Sequence, residues 1–454
     1  MTFSPLDSAL TGNLLASEAM REVFSDRARL AAMLTMEAAL ARAQASLGLA
    51  PAGLADAIAA IVPSDLDLPR LGEHTAIAGV PTIPFVKAVQ AQLPAELEAA
   101  FHRGATTQDV LDTALVLQIR EALDLISADI DAILADLANL AYAHRATPCT
   151  GRTYGQHAAP VTFGFKVAIW HAGLADALGA LPNLRARVLT ASLGGPVGTL
   201  SGLKEQGPAV LKAFAAELGL NAPPIAWHVL RGRIAETGAW LALVLGALAK
   251  IATDVAHLSS TEVGEVAEPY VLGRGGSSAM PHKRNPVSAT VILSAHAAAG
   301  GHVTTLLQAM AAAHERPAGL WHAEWHALPI LFGLASGALK EARALAQGLQ
   351  VNSGRMEMNL ALTRGLLFAD AAAARLGVQL GRERAHDLVE AAASAVRDGQ
   401  APDLQAALQA DPATEGVSLA GVFDLAPAVA ASATWVSQAL PPHAPESSGR
   451  PRNR

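Results

Sequence analysis

Residues 273–287 read Gly-Arg-Gly-Gly-Ser-Ser-Ala-Met-Pro-His-Lys-Arg-Asn-Pro-Val between two Ala/Leu-rich segments. No other stretch gathers so many groups able to do chemistry. Ser277 and Ser278 offer hydroxyls, Lys283 a cation and Asn285 an amide, and Arg274, His282 and Arg284 add further donors. Gly273, Gly275 and Gly276 let the backbone reach positive φ and bring its N–H groups against a ligand, while Pro281 and Pro286 stop a helix from running through. Donors grouped in this way suit a reaction in which negative charge develops on the substrate. A solvated basic connector is the plain alternative.

Two further stretches could work with this loop. Residues 102–109, His-Arg-Gly-Ala-Thr-Thr-Gln-Asp, stand where a long helical pattern begins. Thr106, Thr107 and the free N–H groups of a helix start then form an anion site beside His102 and Arg103, although an ordinary N-cap uses the same residues. Residues 151–160 bring Arg152, Thr153, Gln156 and His157 ahead of a helix expected from Val161, where surface capping is the alternative. Residues 194–199 are weak as a phosphate loop because no Walker lysine pattern follows, and His322 and His326, although spaced i, i+4, lack the H-E-x-x-H arrangement of a zinc site.

Residues 276–286 resemble the signature G-S-S-x-M-P-x-K-x-N-P of the fumarase/aspartase superfamily, which includes argininosuccinate lyase, adenylosuccinate lyase and 3-carboxy-cis,cis-muconate cycloisomerase. Gly104, Thr106, Thr107, Asp109, Asp112, Thr113 and Ala114 are similar to the first signature region of adenylosuccinate lyases, with Thr107 in place of serine. The second region, R-T-H-x-Q, is matched by Arg152, Thr153 and Gln156, but Tyr154 replaces its histidine. Trp325 stands where nucleotide lyases carry a phosphate-binding arginine. Those departures, the Trp-His-Ala-Glu-Trp run at 321–325, and Trp227-His228 ahead of Arg231 and Arg233 resemble the bacterial 3-carboxy-cis,cis-muconate cycloisomerases. The resemblance covers roughly residues 3–400.

It implies an all-α fold of three helical domains around a long central bundle, and a homotetramer with sites shared between subunits. It also implies a cytoplasmic enzyme of the protocatechuate branch of the β-ketoadipate pathway, without cofactor or metal, interconverting a small tricarboxylate and its lactone through an aci-carboxylate. Ser277 is implied as the proton carrier, with Lys283 and Asn285 completing the catalytic set. His102, Arg103, Thr106, Thr107, Arg152, Thr153, Gln156, His157, Ser278 and Met280 are implied as substrate-binding, with Arg231 or Arg233 as further cations. A carboxylate that attacks or departs needs no proton at neutral pH, its unperturbed pKa being about 4, so one proton carrier suffices where the histidine is lost. An adenylosuccinate-type lyase and a non-catalytic structural protein on the same scaffold are the alternatives.

Long helices must hold these groups. Hydrophobic residues make up 51% of the 454 but aromatics only 4%, and Ala and Leu outnumber the strand-favouring types. Residues 105–147 contain neither Gly nor Pro, and Ile119, Leu123, Ile126, Ile130, Ile133, Leu137 and Leu140 step by three and four. A helix of that length runs about 60 Å, too long to be covered within one subunit, so its seam is expected to face neighbouring chains. Similar patterns cover residues 161–189, with a kink expected at Pro182, and residues 234–266 and 287–315. The bundle is expected to end near 348–354. This divides the chain into an N-terminal helical domain at 1–104, the bundle at 105–350, and a C-terminal domain at 351–440 broken at Gly365, Gly377 and Gly381. A Pro/Ser/Arg-rich tail at 441–454 is expected to be disordered.

A net charge of −7 without a basic run argues against a nucleic-acid partner. The most apolar window, residues 239–249, falls short of the ~20 residues that span a bilayer, so no membrane is expected, and the N-terminus shows no signal-peptide pattern. Cys149, the only cysteine, excludes an internal disulfide and reads as a buried structural thiol.

Overall fold

The structure, a computed structural model, describes residues 3–440; the tail expected at 441–454 lies outside the described residues. Six helices carry the positions that matter: α1 (Asp26–Ser46), α2 (Thr107–Ala143), α3 (Phe163–Gly179), α4 (Gly232–Leu258), α5 (Val287–Ala309) and α6 (Leu320–Gly348). Ser25 caps α1, its Oγ accepting from Ala28 N. The described chain forms two compact units. One runs to Asp131 and adds Asp176–Ala249 and Val291–Glu341; the other comprises Ala132–Ala175, Lys250–Thr290 and the chain from Ala342 onward.

The heptad-like spacing of α2 is correct, but its expected exposure is not. Ile119, Leu123, Ile126, Ile130 and Ile133 are fully buried within this single chain, as are Leu241, Leu245 and Leu248 of α4. Within the first unit, α4 carries Gly238 where a Cβ would meet Leu306 of α5 and Leu331 of α6, so the helices approach each other closely enough to cover their own seams. Large apolar side chains that stay exposed on these helices include Ile169 of α3, Leu243 of α4 and Leu307 of α5. By length and composition the whole of α4, longer than residues 239–249, is also apolar enough to cross a membrane. Half of its most apolar window is buried, however, as in a core helix.

Residues 148–162 are not a helix approach but an antiparallel hairpin, β1 (Pro148–Thr153) and β2 (Gln156–Thr162), so α3 begins at Phe163 instead of Val161. Tyr154 and Gly155 form the two-residue turn with φ of 51° and 77°, the positive pair a primed hairpin turn requires. Pro182 does not kink a helix. It sits in the first turn of a separate helix, Leu181–Val188, where its missing N–H leaves nothing unpaired.

α4 stops at Leu258, short of Val266, because Val266–Ala267 (β3) pairs antiparallel with Gln350–Val351 (β4). α5 ends at Ala309, and α6 ends at Gly348, within the expected range. In the C-terminal segment Gly365 and Gly381 break helices at positive φ, but Gly377 lies inside Ala369–Leu380. Cys149 is fully buried in β1, and burial pushes its thiol up to about 12.

Candidate active site

The first candidate site is the start of α2. Asp109, fully buried in its first turn, accepts from the backbone N–H of Thr106 at 2.9 Å, Gly194 at 2.8 Å and Gly195 at 2.9 Å, and contacts His228 Nε2 at 2.6 Å. One carboxylate thereby fixes the Thr106 turn to the 194–195 loop, whose N–H groups are occupied and unavailable to a phosphate. The Thr106 hydroxyl accepts from Arg316 Nη2 at 3.3 Å, while Arg316 Nε donates to Gln108 Oε1 at 3.2 Å. Among the described residues no carboxylate pairs with Arg316. A guanidinium beside a helix N-terminus sets two positive potentials together, which favours an anion between them. His102 is tied through Nδ1 to Glu37 Oε1 of α1 at 2.6 Å, and Arg103 stays exposed, its Nη1 reaching Leu49 O at 3.4 Å.

Behind this turn lies a buried charge cluster. Arg231, 1% exposed, donates Nη1 and Nη2 to Asp112 at 2.7 and 3.1 Å, and Nε and Nη2 to Glu324 at 2.9 and 2.5 Å. Trp321 Nε1 adds a third donor to Asp112 at 3.0 Å. The Trp-His-Ala-Glu-Trp run therefore serves as a framework: Trp321 joins α6 to Asp112 of α2 directly, Glu324 does so through Arg231, and His322 packs on Trp325 with ring centroids 4.4 Å apart. Arg231, expected as a cation for substrate, is corrected to a buried structural residue whose donors two carboxylates occupy. Among the described residues no group of three or more His, Cys, Asp or Glu side chains could hold a metal.

The second stretch belongs to the other unit. Its hairpin puts Arg152 opposite His157 and Thr153 opposite Gln156, with Tyr154 fully exposed at the tip. Arg152 makes a two-pronged salt bridge to the buried Glu265, which also accepts from Asn359 Nδ2 at 2.8 Å. Its guanidinium is thus preorganised but already partly neutralised. His157 has an unpartnered, buried Nδ1, and burial, aided by the Arg152 charge and opposed by Glu265, holds its pKa below the ordinary value.

The signature loop lies in the same unit as the hairpin. It leaves β3 and returns on itself: Gly276 bridges Arg284, Asn285 N donates to Gly275 O at 2.9 Å, and Lys283 N to Met280 O at 3.0 Å. Gly275 is obligatory, with φ of +68° and a position where a Cβ would lie 2.6 Å from Asn285 O. Arg284 stacks over Tyr270 with its guanidinium 4.9 Å from the ring centre. Glu268 accepts from Ser288 N and Ala289 N at 3.0 and 2.9 Å, capping α5 directly after the loop. Ser277 Oγ accepts from Met280 N at 3.1 Å, and Ser278, Met280, Lys283 and Asn285 are exposed. Beneath the loop a cavity of about 600 Å³ is lined by Ser260, Glu268, Lys283 and Asn285 among others.

The structure thus brings His102, Arg103, Thr106 and Thr107 together at one turn, Arg152, Thr153, Gln156 and His157 on one hairpin, and Ser277, Ser278, Met280, Lys283 and Asn285 on one loop. Among the described residues no hydrogen bond or ion pair joins the hairpin residues to residues 277–285. Sequence reasoning missed Arg316, Glu37, Glu265 and Glu268. Arg316 carried a signal, a lone arginine between acidic Glu315 and a Pro-Ala-Gly break ahead of a helix; Glu37 lies inside a helix, and Glu265 and Glu268 flank the short β3.

A family model described as Lyase matches residues 14–301, well over half of the chain. The chain belongs to this lyase family. Among its relatives, the 3-carboxy-cis,cis-muconate cycloisomerase of Pseudomonas aeruginosa is 45% identical over 432 residues, covering 93% of this chain and 94% of the relative. A nitrosuccinate lyase of Streptomyces davaonensis is 44% identical over 436 residues, covering 93% and 88%. The crystal structure of the 3-carboxy-cis,cis-muconate lactonizing enzyme from Pseudomonas putida matches with a TM-score of 0.89 at 43% identity, covering 95% of this chain and 98% of that one. The family and the fumarase/aspartase-like helical fold inferred from the three signature stretches are therefore borne out.

Proposed function

We propose that this lyase-family chain is a cycloisomerase interconverting 3-carboxy-cis,cis-muconate and 4-carboxymuconolactone. The observation that carries the reading is Tyr154 at the hairpin tip, in the place of the amine-handling histidine, in a chain that keeps the Ser277, Lys283 and Asn285 of the signature loop. The 45% identical cycloisomerase relative supports it. In this reaction a substrate carboxylate oxygen bonds to the ring-closing carbon as its double bond breaks, and the neighbouring carbon gains a proton that solvent replaces on the carrier, so a trianion becomes a dianion and nothing leaves. Ser277 carries that proton. Lys283, Asn285 and the loop N–H groups bind the two negative charges that gather on one carboxyl in the aci-carboxylate. His102, Arg103, Thr106, Thr107 and Arg316 hold a remote carboxylate, and Arg152, Thr153, Gln156 and His157 another.

A second reading, elimination from a substituted succinate, is favoured by the 44% identical nitrosuccinate lyase. One assay separates them. Offered 3-carboxymuconate, the enzyme removes its conjugated-diene absorbance, with turnover that persists in chelator; offered nitrosuccinate, it releases no nitrite. Nitrite release without loss of the diene overturns the cycloisomerase reading.

The reading extends to a soluble cytoplasmic enzyme of the protocatechuate branch, built as domains 1–104, 105–350 and 351–440, and to a homotetramer whose sites are shared between subunits. Exposed Leu243 and Leu307 on α4 and α5 supply apolar surface for the neighbours. Mixing inactive Ser277→Ala and Arg152→Ala proteins under subunit exchange then restores part of the activity, because some mixed sites are wholly intact. No recovery despite demonstrated exchange overturns the shared site.

A further inference from the structure

The Glu37–His102 pair carries an inference beyond the residues that touch substrate, and it rests on the tricarboxylate reading above. Glu37 lies on the inner face of α1, 1% exposed, with His102 as its ion-pair partner. A buried carboxylate is stable only where a cation or several donors answer it. The partner is unusual in its backbone: His102 is held at φ of 56°, a left-handed conformation that costs a non-glycine residue of order 1 kcal/mol. The chain fixes the loop on its far side too, since Gln44 Nε2 of α1 donates to Arg103 O at 2.7 Å. Two side chains of one helix, seven residues apart and so on one face, therefore pin the loop that opens into the Thr106–Thr107 turn. With Nδ1 engaged by Glu37, the second ring nitrogen, Nε2, has no partner among the described residues, and the side chain remains 21% exposed.

We infer that Glu37 is a positioning residue that holds His102 as an imidazolium, so that its free Nε2–H adds a charged donor to the carboxylate-binding turn at the start of α2. The surroundings agree. Burial lowers the affinity of His102 for its proton, but the hydrogen bond and charge of Glu37, backed by the charge of Asp109, outweigh it and leave the pKa above the ordinary value. Arg103, on the same loop, stays exposed, and Arg316 reaches the turn from the segment ahead of α6. A raised pKa carries the imidazolium to higher pH than an ordinary histidine, and anion binding weakens as pH rises through that raised value. Without the Glu37 charge, burial is opposed only by the charge of Asp109, and binding weakens at lower pH than in the wild type.

The test uses the full-length protein and tricarballylate (propane-1,2,3-tricarboxylate) as a non-reacting probe, with affinity measured by titration calorimetry at pH 6 and pH 8. Glu37→Gln keeps an acceptor for Nδ1 and removes the charge. It is expected to bind about as tightly as the wild type at pH 6 and about tenfold more weakly at pH 8, the scale of one charge-assisted hydrogen bond. His102→Gln is expected to bind weakly and equally at both values, and it decides the matter should Glu37→Gln fail to fold. Superimposable pH profiles for wild type and Glu37→Gln, a wild-type profile retained in His102→Gln, or a wild type that does not bind tricarballylate at either pH each overturn the inference. Binding needs no turnover, so a failure of the cycloisomerase reading appears separately, as absent diene loss with this pH dependence intact.

Discussion

Ser277→Ala is expected to lower kcat by roughly 10²-fold or more, the scale of general acid–base catalysis, with helical content unchanged. The structural half of this expectation follows from the position of Ser277. It sits in the signature loop outside every helix, and its hydroxyl accepts one bond, from Met280 N in an exposed turn, so alanine strands no buried polar group. The kinetic half follows from the chemistry. A free hydroxyl is far too weak a base, and it becomes one only in a dry, cationic enclosure. Lys283 and Arg284 share its loop, and the open cavity beneath offers room for the loop to close over substrate. Near-normal kcat in the variant would move the proton to another carrier. His157 then comes first, because its lowered pKa favours the neutral ring that takes up the proton in the lactone-opening direction, followed by His102 and Tyr154.

The sequence announced what depends on residue type and order, and hid what depends on packing. Gly275, Pro281 and Pro286 mark the signature loop whatever surrounds it, and the three-and-four spacing along α2 is a property of the helix itself. Burial of that seam was not legible, because spacing gives the apolar face and says nothing of which chain covers it; close approaches such as Gly238 to Leu306 and Leu331 decide that. The hairpin at 148–162 was hidden for a related reason. Ala158, Ala159 and Pro160 carry no strand preference, and only the Tyr154-Gly155 turn and the pairing with 148–153 make a strand of them. Among site residues, the hydroxyls and cations of the three signature stretches stood out by their types. Glu37, Glu265 and Glu268 did not, since a lone glutamate in an Ala-rich helix or beside a short strand reads as solvated surface until a partner is seen across the fold.

Arg231→Met is expected to lower stability at pH 8 by about 3–5 kcal/mol, the range for leaving buried charge without its partner. Arg231 has no solvent to fall back on, and it answers two buried carboxylates at once, those of Asp112 and Glu324. Burial opposes its charge, yet the two carboxylates more than compensate and raise its pKa. Glu324 feels the opposite balance: burial raises its pKa, Arg231 pulls it back, and Asp112 pushes it up again. Removing Arg231 leaves burial and the like charge unopposed. A carboxyl whose folded pKa lies above its unfolded value makes the protein less stable as pH rises between the two values, and relieves it as pH falls. The deficit of Arg231→Met should therefore narrow toward pH 5, whereas a defect of packing alone would be nearly independent of pH. Removing one carboxylate as well, in Arg231→Met/Glu324→Leu, should recover at least about 1 kcal/mol, because Asp112 keeps Trp321 and Gln108 as donors and the second stranded charge is gone. Urea midpoints at fixed protein concentration read all three proteins on one scale. A double variant no more stable than the single, with a deficit constant from pH 5 to pH 8, would mean that the shape of the Arg231 side chain, and not its charge, holds the starts of α2 and α6 together.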